Sequence, residues 1–153
     1  MQRFENPHPF NKGMLMTFEE FDQRFPNGFS DAEIFSINID YETRIVTLTF
    51  NLRGNSPDSP DRDVYARAEL TVRGIYYVSI DPPDRAHLFG PEREKITVDG
   101  FPEGTHDFPL FADLKPKLPA GAFCCRFFVH DWNSFIHIGA ADAEFSWTST
   151  KQT

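Results

Sequence analysis

The sequence predicts a mainly β domain, an antiparallel β-sandwich or partly closed barrel with one short N-terminal helix. Apolar and polar residues alternate along most of the chain, the period of half-buried strands. The 12 prolines and 9 glycines fall mostly between apolar runs, as in a chain with many turns. Strand-like runs are not interleaved with helical ones, which argues against a parallel α/β sheet.

Residues 1–16 read as an N-terminal arm. The helix follows, with Thr17 as N-cap and Glu20 three residues on completing a capping box, and with Met16 placed to pack on Phe21 as a hydrophobic staple. Phe18, Phe21 and Phe25 share a helical face, and Pro26-Asn27-Gly28 stops it. From Ala32 the period becomes two. Phe35, Ile37, Ile39 and Tyr41 form one apolar row and Val46, Leu48, Phe50 and Leu52 another, joined by a tight Glu42-Thr43 connection, which makes a β-hairpin. Residues 55–63 are a loop with two prolines and three aspartates. Val64, Ala66, Ala68, Leu70 and Val72 then share one parity, continued by Tyr76, Val78 and Ile80 past Gly74. So long a run must bend, and Gly74 is the expected place.

Ile96 and Val98 mark a short strand, and residues 108–111 a short apolar stretch. Residues 123–129 are almost wholly apolar. A turn at residues 130–134, a strand at 135–138 and a last one through Phe145 and Trp147 bring the count to about eight strands. The core domain is expected over 17–148, with a polar tail at 149–153.

A chain of 153 residues fits one domain. At that size about 70% of the unfolded surface is buried. Phe occurs 17 times, so the core is expected to be rich in phenyl rings. The net charge is −8, and the 15 Lys and Arg residues are dispersed. That disfavours nucleic-acid binding, which draws on a basic patch, and favours solubility or steering toward a basic partner. Residues 1–10 lack the apolar stretch of a secretory signal, and no run reaches the length of a membrane span. Cys124 and Cys125 are adjacent, point to opposite faces of a strand and read as reduced thiols, so a cytoplasmic location is expected.

Among candidate sites, His130 and His137 flank the turn and could meet across it with Asp131 or Asp142, a donor set suited to zinc or iron. Against this, the spacing follows no known metal pattern, and the register decides whether the rings share a face. No nucleophile elbow or phosphate loop is present, and Cys124 and Cys125 sit in an apolar run where thiols are inert. Binding has better support. Trp132 stands near a hairpin tip, flanked by Asp131 and Asn133, and exposed Trp is a frequent anchor of interfaces. Its ring would either anchor a partner or fold back on the core. Glu19, Asp22, Asp58, Asp61 and Asp63 add an acidic surface.

Residues 30–41 (Ser-Asp-Ala-Glu-Ile-Phe-Ser-Ile-Asn-Ile-Asp-Tyr) resemble the opening hairpin of a family of small, uncharacterised bacterial β-rich proteins, some of which are similar to immunity proteins of toxin systems. The resemblance covers about a dozen residues and transfers no catalytic residue. It implies a bacterial, cytoplasmic protein that acts by binding. The sequence therefore favours a non-enzymatic protein-binding module with a protein partner, basic in character, and no cofactor, nucleic acid or membrane. An uncovered edge strand would allow a homodimer. The alternatives are a small-ligand-binding β-barrel and a metal-dependent enzyme using His130 and His137.

Overall fold

The computed structural model describes residues 15–17, 20–21, 28–53, 60, 64–84, 95–102 and 115–148. Among the described residues there are seven strands: β1 (Leu15–Thr17), β2 (Ala32–Asp40), β3 (Ile45–Arg53), β4 (Tyr65–Ile80), β5 (Ile96–Pro102), β6 (Phe123–Val129) and β7 (Ser134–Trp147). They are ordered β1-β7-β4-β3-β2-β5-β6, and β6 pairs again with β7. Strands β2 to β7 thus close an antiparallel six-strand barrel. The 14-residue β7 is the seam. One of its edges pairs with β4 from Ile136 to Trp147, and the other pairs with β6 from Ser134 to Ala140 and then with β1 from Glu144 to Ser146.

Alternation sets the interior. Val46, Leu48, Phe50 and Leu52 of β3 lie opposite Val72, Leu70, Ala68 and Ala66 of β4, and all eight are fully buried. Val98 of β5, Cys125, Phe127 and Val129 of β6, and Ile138, Ala143, Phe145 and Trp147 of β7 complete the wall. The ring of Phe29, from the β1–β2 connection, sits among them. Its centroid lies 4.9 Å from Phe50, 5.3 Å from Phe127 and 6.3 Å from Phe145. Phe21 lies 4.9 Å from Phe29 and 4.0 Å from Phe145. A phenyl-rich interior is what the composition predicts.

The capping box is present. The Glu20 amide donates to Thr17 Oγ1 at 3.1 Å, and the Thr17 amide donates to Glu20 Oε2 at 3.3 Å. Glu20 and Phe21 have helical backbone. The rest of the helix expected there lies outside the described residues, as do the 55–63 loop apart from Pro60, the 108–111 stretch and the polar tail. Leu15 and Met16, expected in the arm, belong to β1 and pair with Ser146 and Phe145.

Two apolar rows leave members exposed, at or beyond a break in the ladder. Between Ile34 and Ser36 a bulge shifts the β2–β3 register, so Phe35 turns outward, 42% exposed, beneath the Arg67 guanidinium at 4.1 Å. Tyr41 lies in the β2–β3 turn, not in the strand, and is 82% exposed. In β4 the bend occurs where expected. Gly74 has φ +66°, in the left-handed region, and the pairing with β7 shifts between Ile75 and Tyr77, which leaves Tyr76 and Ile80 exposed. The two last expected strands are one, since β7 runs unbroken from Ser134 to Trp147.

Candidate functional site

The β6–β7 hairpin closes through residues 130–133. The Trp132 amide donates to the Val129 carbonyl at 3.3 Å, the Asn133 amide donates to that of His130 at 3.4 Å, and Asn133 takes φ +48° before β7 begins. Asn tolerates that conformation better than most residues. The β2–β3 turn is built alike: the Asp40 carboxylate accepts from the amides of Glu42 at 3.0 Å and Thr43 at 3.1 Å, and Arg44 takes φ +57°. Hydrogen bonds from the Thr43 amide, then from its hydroxyl, and from the Glu42 amide favour the charged form and hold the Asp40 carboxyl below the usual carboxylate range, against a small opposing effect of burial.

Each residue of the β6–β7 turn is used differently. His130 donates its backbone N–H to the Thr97 carbonyl at 3.0 Å, and its Nε2 lies 2.8 Å from Asp99 Oδ2. Asp131 is buried, and its Oδ2 accepts the Thr97 amide at 3.0 Å. These two residues therefore extend the β5–β6 pairing beyond Val98 and Val129. Asn133 Nδ2 donates to Asp84 Oδ2 at 3.3 Å, and the Asp84 amide donates to the Trp132 carbonyl at 2.9 Å. The segment after β4 is thereby tied to the turn. The Trp132 side chain is half-buried against the core.

That side chain forms one wall of an apolar cleft of about 210 Å³, lined also by Ile34, Phe35, Ile37, Ile96 and Ile136. The topology explains its position. Strand β5 pairs with β2 only at Ala32, Glu33 and Ile34, because it begins at Ile96. Strand β2 runs on to Asp40 with β3 on one side and, among the described residues, no strand on the other. The cleft opens where that pairing stops, between β2 and the β6–β7 turn.

The two histidines are not brought together as a metal pair. With four residues in the turn, Ser134 pairs with Val129, Phe135 with Phe128, and His137 with Arg126. His130 and His137 share the outer face, but the rings of Phe128 and Phe135 stand in series between them, with successive centroid separations of 5.3, 5.1 and 5.7 Å. His137 is buried, its Nε2 3.8 Å from Asp81 Oδ2. Asp142 lies far along β7 opposite Arg73. His130 instead joins Asp31 and Asp99, whose oxygens lie within 4.8 Å of one another and of the imidazole nitrogen. One Asp99 oxygen accepts the Asp31 amide at 2.8 Å and the other faces His130, while Arg53 pairs with Asp31 at 3.3 Å. These groups satisfy one another, and the arrangement ties β5 to the β1–β2 connection and to the β6–β7 turn.

Neither cysteine is in a disulfide; Cys125 is buried and Cys124 half-buried. Cys124 Sγ accepts the Tyr77 hydroxyl at 3.8 Å. Glu19, Asp22, Asp58, Asp61 and Asp63 of the expected acidic surface lie outside the described residues. Among the described residues, no helix is long and apolar enough to cross a membrane. The cleft itself is the feature that sequence reading missed, because it arises from a mismatch in strand length between β2 and β5. Comparison of the chain with protein-family models, curated proteins and solved structures gives no match.

Proposed function

We infer that the protein is a non-enzymatic binding module of the bacterial cytoplasm, and that it holds a protein partner by taking an apolar side chain of that partner into the Trp132 cleft. The observation that carries this reading is the cleft: an open apolar recess walled by an indole, on a barrel whose centre is filled by Phe29, Phe50, Phe127 and Phe145. Interface anchors are enriched in Trp and sit in pockets that exclude water. The acidic balance of the chain, −8, suits a basic partner and faster encounter at low salt. A toxin-neutralising role, as the likeness of residues 30–41 to immunity-type proteins implies, would use the same face.

The test is affinity capture from the native cytosol at low and moderate salt with the wild-type chain and with Trp132→Ala. A partner held by the wild type, weakened by salt and lost with Trp132→Ala is the expected result. Capture of the same proteins by both forms, or of none at either salt, overturns the reading.

The cleft volume also favours a second reading, a small apolar ligand. An engineered cavity of about 150 Å³ accepts benzene, so about 210 Å³ here admits a single ring. Titration with indole, followed by calorimetry, separates the two: saturation at micromolar concentration would favour the ligand.

A further inference from the structure

We propose that the partner adds a short extended segment to the open edge of β2 at residues 36–40, with an apolar side chain in the Trp132 cleft and lysine or arginine side chains on the alternate positions. This rests on the docking reading above and names the occupant.

The edge comes first. Residues 36–40 are in strand conformation and fully paired with β3, from Ser36↔Thr49 to Asp40↔Ile45, while β5 stops at Ile34. Among the described residues no strand pairs with that side of residues 36–40, and such an edge offers N–H and C=O groups that an incoming strand satisfies. The cleft comes second. Ile34, Phe35 and Ile37 are consecutive or nearly so on β2, and Trp132 faces them across the recess. A side chain reaching that recess from a chain laid along the β2 edge needs no detour. Five residues of strand span about 17 Å at roughly 3.3 Å each, so one short segment covers both edge and cleft.

Charge selects the occupant. Asp40 stands exposed at the far end of the edge, on a chain of net charge −8. Lys95, next to Ile96, is already paired with Glu33 at 3.5 Å. A second copy of this chain would bring its own Asp40 to the same edge and another net −8 to the encounter. That repulsion between two acidic chains slows self-association, so a foreign basic strand fits better than self-pairing.

The probe is an acetylated, amidated octapeptide alternating Lys and Leu. Two controls accompany it: the same peptide N-methylated on alternate amides, which keeps the charge and removes strand hydrogen bonds, and its Glu-for-Lys counterpart. Binding is read by fluorescence and by amide hydrogen exchange. The expected result is saturable binding of the Lys/Leu peptide with slowed exchange confined to residues 36–40 and their new neighbours, at least ten-fold weaker binding of both controls, and loss with Trp132→Ala. Circular dichroism establishes that this variant is folded. Equal binding of the N-methylated peptide, or unchanged exchange at residues 36–40, overturns strand addition. If Trp132→Ala still abolishes binding in that case, the cleft stands as a docking site and only the added strand falls. Absence of binding by the Lys/Leu peptide at millimolar concentration also overturns this proposal, whereas the docking reading is decided by the capture experiment. Dimers formed through residues 36–40 in a concentration series of the protein alone, at least as tight as the Lys/Leu peptide complex, would assign the edge to self-pairing and overturn the foreign strand.

Discussion

Asp131, Trp132 and Asn133 are consecutive, yet only the middle one faces the cleft. Asp131 is spent on the Thr97 amide, inside the structure. Asp131→Ala leaves that N–H without its acceptor and should lower stability by about 1–3 kcal/mol in urea unfolding, with loosening of the β5 start. Trp132→Ala acts chiefly on binding, since its ring is half-exposed. Asp40 offers a check on pH. Its folded-state carboxyl is held below the usual range by Thr43 and Glu42, so the turn gains stability at pH values above the unfolded carboxyl's titration. That gain disappears as the pH falls through the folded value. NMR titration should show Asp40 ionising at lower pH than an ordinary aspartate, with the Glu42 and Thr43 amide shifts following it, and Asp40→Asn should abolish that transition. At this scale the sequence disclosed Trp132 as the conspicuous residue, because an aromatic beside a turn is visible in composition. The placement of His130 against Asp99 and of His137 against Asp81 was not visible. It depends on a four-residue turn, and one residue fewer or more would have altered which side chains meet.

Among the elements, alternation was a faithful guide to the inward row of β3 and of the first half of β4. All of Val46, Leu48, Phe50 and Leu52 are buried as expected, as are Ala66, Ala68, Leu70 and Val72. It failed at Phe35, Tyr76 and Ile80, each at or beyond a shift of register that no period-two pattern encodes. The bend at Gly74 could be foreseen because only glycine accepts φ +66° without strain. Gly139 has a different cause. Strand β7 there lies opposite Tyr77 and Cys124, and a Cβ would run into the Tyr77 ring, which crosses this position on the way to its sulfur contact. Gly139→Ala must push the ring aside, and a loss of about 1–3 kcal/mol is expected. Combining it with Tyr77→Ala should recover part of that loss, giving a coupling measurable in a double-mutant cycle. Full additivity of the two changes would mean that the ring does not rest on Gly139.

For the whole molecule, the fold class followed from local pattern, but barrel closure did not. Closure depends on pairings between distant segments, β5 with β2 and β6 with β7 among them, and these leave no trace in the spacing of apolar residues. The cleft inherits that invisibility, being a gap in closure. The filled centre was partly foreseeable from the phenylalanine content. Phe29 is the ring that most of the others touch, and Phe29→Ala should cost about 3–5 kcal/mol, seen as a lowered urea midpoint, while leaving the residues of the cleft in place.

The seam has a bearing on biosynthesis. Strand β7 is the latest of the described strands, yet β4, β6 and β1 all draw a partner from it. During synthesis, therefore, these three segments wait with unmatched edges until residues 134–147 have left the ribosome. The chain should be most prone to aggregation in that interval, as expected where long-range pairing dominates a fold. Released chains truncated before Ser134 should bind holdase chaperones, whereas released chains that include residues 134–148 should resist protease.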